Sequence, residues 1–144
     1  MTEATRYIEP TQTSGMKLMR RNIKGSIFML NLLHFREIAD YSSHPDLTPE
    51  QPISGEEAFQ RYIQHTLPFL EESGGEIVFM GKGGEFLIGP EAEQWDFVML
   101  IRQSSIESFV AFSDHTSYLE GIGHQTAAIE DSRLLPITEL PRYE

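Results

Sequence analysis

The segment IFMLNLLHF, residues 27–35, is apolar on both faces: Ile27, Met29, Leu33 and Phe35 alternate with Phe28, Leu30 and Leu32. Side chains alternate across a strand, so this pattern predicts a central strand covered on both sides. The strand is expected to run from Ser26 to about Arg36, with Asn31 on one face and His34 and Arg36 on the other. WDFVMLIR, Trp95 to Arg102, has the same two-sided character and predicts a second central strand. EIVFMGK predicts a strand from Glu76, and the Gly- and Pro-punctuated GGEFLIGPEAE turns the chain into the next one. RLLPITEL supplies the last strand, where Pro136 suits a sheet edge because it cannot donate to a ladder.

Between these strands the period changes. Ala58, Phe59, Tyr62, Ile63, Thr66, Leu67 and Leu70 recur at helical spacing, after a Ser54–Glu57 pair with capping-box separation. Pro68 is expected to kink that helix and Ser73–Gly75 to stop it. A second helix is predicted to open at Ser104–Glu107, and a further helical stretch to run from about Ser117 to Ile129. Residues 1–24 form a polar lead-in with a weak helical pattern, Met16, Leu18 and Met19, interrupted by Gly15. IADYSSHPDLTPEQP, after the first strand, is too polar for a core element and predicts a long loop.

The resulting order, β-α-β-β-α-β, is the split βαβ pattern of an α+β, ferredoxin-like domain over residues 25–144. Its antiparallel sheet is expected in the order 4-1-3-2, which makes the first and third strands central. Helices cover one face of such a sheet. The other face is apolar too, so a second copy packing sheet against sheet is expected, giving a homodimer.

Composition narrows the partners. The chain has 144 residues, 22 acidic against 11 basic, and a formal net charge of −11. Such a surface repels phosphate backbones and anionic lipid, so neither nucleic acid nor membrane is expected as a partner. No cysteine is present, which excludes disulfides and thiolate chemistry. No apolar run approaches the roughly 18–20 residues of a membrane span, and MTEATRYIEP has no signal-peptide core. A cytoplasmic location is the expectation.

Several strings, YIEPT, MLNLLHFR, SGEEAFQRY, GGEIVFMG, IGPEAEQWD and HQTAAIEDSRL, together resemble domain of unknown function 1330 over nearly the whole chain. The resemblance implies the dimeric α+β barrel superfamily, which pairs through its sheets. It brings no reaction with it. Relatives of that fold include cofactor-independent monooxygenases, muconolactone-type isomerases and haem-handling proteins, so fold alone does not assign an activity. The family commonly carries arginine where His34 and Gln125 stand here, and a Tyr-Pro pair where Gln103 and Ser104 stand. If those arginines bind an anion in relatives, charge selectivity is weaker in this chain.

Topology places the end of the first strand beside the starts of the third and fourth. His34 and Arg36 should therefore lie near Trp95, Asp96 and Arg133, with Tyr41, His44, His124 and Asp131 arriving at the same rim. Asn31, His34, Arg36, Trp95, Asp96 and His124 are the candidate ligand-binding residues. Each has a plainer structural reading. Asn31 could be a satisfied core amide and Trp95 a core aromatic; Asp96 could form an ion pair with Arg36 or Arg133. His34 is a proton-transfer candidate by type. His124 follows Glu120 at helix salt-bridge spacing. His65, His115 and Tyr118 are read as surface or packing residues. Without HExxH or HxH no metal site is expected, and no cofactor. The functional expectation is a pocket at the sheet rim for a small organic molecule, with cofactor-independent oxygenase- or isomerase-like chemistry open. The alternative is a non-enzymatic metabolite-binding or assembly module whose polar rim is purely structural.

Overall fold

The structure, a computed structural model, describes residues 6–141. Four strands form one antiparallel sheet: β1 (Ile27–Phe35), β2 (Glu76–Glu85), β3 (Gln94–Gln103) and β4 (Ile129–Ile137). They lie in the order β2-β3-β1-β4, the expected 4-1-3-2 read from the other edge. The domain is therefore ferredoxin-like α+β. β1 and β3 are central, registered so that Asn31 faces Met99 and Leu30 faces Leu100. Pro136 lies on the edge strand β4.

Helices α1 (Gln12–Arg20), α2 (Gly55–Glu72), α3 (Ile106–Ser113), α4 (Thr116–Leu119) and α5 (Ile122–Ala128) accompany the sheet. Phe59 of α2 sits among Phe35 and Phe97 of the sheet, with ring centroids 5.4 and 5.5 Å away. These aromatics join Leu33, Met99 and Ile129 in the main core. A smaller cluster of Ile27, Met29 and Ile106 takes Leu18 and Ile23 from the lead-in. Both clusters lie on the face of Ile27, Met29 and Leu33, so the helices cover that face. The opposite face presents Phe28, Leu30 and Leu32 with Val98 and Leu100, none of them buried. Phe79 and Leu135, registered beside Leu100 and Leu30, are 57% and 56% exposed.

Local chemistry explains most element ends. Ser54 Oγ accepts from the Glu57 N–H at 3.0 Å, capping α2. At its other end, Gly75 N–H reaches the Leu70 carbonyl and Gly74 N–H the Glu71 carbonyl. Gly74 has φ +89°, the left-handed turn that this arrangement needs and that glycine takes without steric cost.

Pro68 lies within α2, which runs to Glu72 and stops at the expected Ser73–Gly75. Four expectations are corrected. Gly15 does not interrupt α1. α3 is capped by Ser105, not Ser104: the Ser105 hydroxyl accepts from Ser108 N–H at 3.0 Å. The single helix expected over residues 117–129 is two short helices broken at Gly121, after which the chain enters β4 at Ile129 rather than Arg133. A side chain at Gly121 would collide with the His65 ring, which fills the break. The strand starts early because Ile129 to Asp131 pair with Phe35 and His34, and tertiary pairing overrides local helical period.

Candidate functional site

The six candidate residues fall into two places. Asn31 points to the helical side of the sheet. There it lines a cavity of about 280 Å³ between sheet and helices, which none of the other five reaches. The expected grouping of Asn31 with the rim side chains around one void is thus not what the structure contains.

The rim does gather. His34 Nδ1 and Asp96 Oδ2 lie 2.8 Å apart, and the same oxygen accepts from the Phe35 N–H at 2.9 Å. Gln94 donates to the other carboxylate oxygen at 3.0 Å. Burial alone would raise the Asp96 carboxyl; the Gln94, Phe35 and His34 hydrogen bonds outweigh it and hold it below the ordinary carboxylate range. Asp96 thus pairs with His34, not with Arg36 or Arg133. Continuing the β1–β3 register one step past Leu33–Phe97 brings His34 opposite Asp96. Arg36 instead meets Glu130 at 3.1 Å, and Arg133 meets Asp131 at 2.9 Å. The Arg133 guanidinium lies over the rings of Trp95 and Tyr7, 4.8 and 4.7 Å from their centroids. Among the described residues, the buried Trp95 Nε1 and Arg36 Nε have no hydrogen-bond partner.

His124 is apart from both. Its Nδ1 lies 2.7 Å from the Tyr41 hydroxyl, not beside Glu120, because the break at Gly121 takes the two off one helix. Burial lowers the His124 pKa, with Arg61 and His65 adding to the effect. Burial also raises that of Tyr41. Both are therefore neutral near pH 7, and a single hydrogen bond joins the phenol and the imidazole. Among the described residues no group of three or more His, Asp or Glu is placed to hold a metal ion, and no helix is long and apolar enough to cross a membrane.

The cavity is built from β1, β3, α2 and the α3–α5 segment, and the lead-in residues Ile8–Pro10 border it. Its walls are mainly Phe59, Ile63, Leu70, Met99, Ile101 and Phe112. Polar groups enter from separate elements. Asn31 Nδ2 donates to the carbonyls of Met29 and Met99, at 3.1 and 3.4 Å, while its Oδ1 has no donor among the described residues. The hydroxyls of Tyr62 and Tyr118 are 2.8 Å apart. Burial raises both phenols, Tyr62 strongly, so both stay protonated. Thr66, one turn beyond Tyr62, is buried, and its Oγ1 has no hydrogen-bond partner among the described residues. Gln103 is almost wholly buried at the far end and accepts a long 3.5 Å bond from Ser73. Glu9, at the border, is the one charged side chain in the lining among the described residues.

Sequence reasoning did not place Tyr62, Thr66, Gln103 or Tyr118 in a site, and read Tyr118 as a surface or packing residue. Tyr62 and Thr66 were legible as polar groups on an apolar helix stripe. Tyr118 and Gln103 carried no signal, since only the fold brings them to the same void.

No protein-family model matches this chain, and no curated protein does. Among solved structures, the methylated RPA0582 protein is 33% identical, with 98% of this chain and 100% of that one covered, at a TM-score of 0.83. RPA0582 from Rhodopseudomonas palustris, described as a protein of unknown function, matches a second time. It is 34% identical over 96% of this chain and 100% of that one, at a TM-score of 0.82. A protein of unknown function from Thermobifida fusca, described as dimeric and ferredoxin-like, is 12% identical over 80% of this chain and 92% of its own, at a TM-score of 0.47. Fold and site thus define a ferredoxin-like α+β protein with a cavity between sheet and helices. The chain belongs to the family of the RPA0582 protein.

Proposed function

We propose that this protein is a homodimeric binder of a small organic molecule, held in the cavity between sheet and helices. The cavity carries the reading. Apolar walls with a few buried polar groups are the usual make-up of a ligand site, and a core without a ligand would instead close up to crystal-like density. Asn31 belongs to this site. His34, Arg36, Trp95, Asp96 and His124 serve the structural network at the rim and in the loop, where each except Trp95 has a polar partner.

Binding is favoured over proton-transfer chemistry. A general acid or base works best with a pKa near the operating pH, and the lining contains no histidine, lysine or arginine among the described residues. The motif order described above supports assignment to domain of unknown function 1330. The uncovered apolar sheet face supports pairing with a second copy, since a patch of that kind is rare on a monomer.

The test is thermal unfolding with neutral compounds of fragment size. A ligand at 100 times its Kd stabilises by about 2.7 kcal/mol, which for a domain of this length raises Tm by roughly 5–10 °C. If no neutral compound in a broad panel raises Tm, the cavity is not a binding site.

A further inference from the structure

The hydroxyl groups in the cavity wall do not balance. Tyr62, Thr66 and Tyr118 together bring three O–H donors. One is used in the 2.8 Å bond between the two phenols. Thr66 Oγ1, on a residue only 7% exposed, makes no well-formed hydrogen bond among the described residues, although it lies close enough to the Tyr62 phenol to offset part of the rise in that phenol's pKa. Either way round, the phenol pair leaves one O–H without an acceptor from the other phenol. Opposite these donors, across the sheet side of the lining, Asn31 offers an oxygen whose own amide nitrogen is already committed to two backbone carbonyls.

The other polar members of the wall divide: the Gln103 and Gln125 amides donate no hydrogen bond among the described residues, whereas two hydroxyls are satisfied. The Ser113 and Thr126 hydroxyls donate to carbonyls of their own helices, Phe109 and Ile122. Among the hydroxyls of the wall, the unpaired donors are therefore those of the Tyr62–Thr66–Tyr118 group. A buried hydroxyl without a partner is costly, so it marks a place where something else supplies the acceptor.

Charge narrows the class further. Glu9 borders the cavity and the chain carries a net −11, so an anion meets repulsion on approach and finds no cation inside among the described residues. A buried cation would find no carboxylate deeper than Glu9 among the described residues, and an unpaired buried charge is strongly disfavoured.

We propose that the cavity selects a neutral, mainly apolar molecule carrying one hydroxyl or carbonyl oxygen, which accepts hydrogen bonds from Thr66 and the Tyr62–Tyr118 pair. This rests on the binding reading above and specifies its ligand. A ligand hydroxyl can in turn donate to Asn31 Oδ1.

Three probes of one shape separate the possibilities: toluene, p-cresol and 4-methylbenzoate, titrated by calorimetry against the full chain. p-Cresol is expected to bind about three- to tenfold tighter than toluene, the worth of a net hydrogen bond, and 4-methylbenzoate not at all. Thr66→Val, which keeps the side chain's shape, is expected to remove most of the p-cresol preference and leave toluene unchanged. Tyr118→Phe serves as a second variant with the same expected split. Equal affinity for toluene and p-cresol, or a p-cresol preference that survives both substitutions, overturns the hydroxyl assignment while the cavity stands. Tight binding of 4-methylbenzoate overturns the neutrality argument. If neither neutral probe binds, the binding reading itself fails.

Discussion

Tyr41 and His124 form an isolated pair whose titration should be visible in stability. The folded histidine holds its proton less tightly than the unfolded one, whose pKa is about 6.5, because burial and the nearby Arg61 and His65 disfavour the cation. Below about pH 6.5 the unfolded chain therefore binds more protons than the folded one, and stability rises with pH in that window. The contribution is complete above about 6.5 and is lost as pH falls through the folded value. The denaturant midpoint is expected to drop between about pH 7.5 and 5.5, and His124→Gln to flatten that slope. An unchanged slope in the variant would assign the effect elsewhere. Asp96 has the same sign in a lower window, since its folded pKa is also depressed. Its contribution is present above about pH 3.9 and fades below, so the two groups separate by pH.

Helix ends test whether local chemistry or sequence spacing decides an element. Ser104 and Glu107 have the right spacing for a capping box, yet the cap is Ser105, whose oxygen meets the Ser108 N–H. Ser105→Ala is expected to cost about 1 kcal/mol in chemical denaturation, the typical worth of a serine cap, and Ser104→Ala a few tenths at most. Equal costs would contradict the assigned cap. At the end of α2, Gly74→Ala places a Cβ at φ +89° and should cost about 1–2 kcal/mol. Gly15→Ala, within α1 and with open space around it, should stabilise by about 0.5–1 kcal/mol. These two glycines look alike in the sequence and act in opposite directions. Only the backbone conformation distinguishes them.

For the molecule as a whole, the uncovered sheet face makes the largest prediction. Sedimentation is expected to give twice the 16.4 kDa chain mass. Leu100→Asp, on a central strand and outside both hydrophobic clusters, should shift the protein to monomer without unfolding it. Because each chain carries −11, added salt should screen the mutual repulsion and tighten the pair. A wild-type monomer at micromolar concentration would end the pairing proposal and leave the cavity untouched, since the cavity lies on the other side of the sheet.

Two periodicities, readable in IFMLNLLHF and in the stripe from Ala58 to Leu70, were enough to predict a ferredoxin-like domain with β1 and β3 central. They are local properties: alternation and helical spacing depend on neighbours in the chain. The His34–Asp96 contact was also within reach, because strand order and antiparallel pairing bring those two positions together. Which face the helices cover was not. That choice assigned Asn31 to a cavity and His34 to the open side, and it depends on how the crossovers pack. The hydroxyl group in the cavity is tertiary in the same sense. Tyr62 and Tyr118 stand 56 residues apart, and nothing in either segment specifies the other. Sequence by itself determined the frame; packing of the helices on one side of the sheet decided where polar groups lack partners, and hence where the proposed ligand would sit.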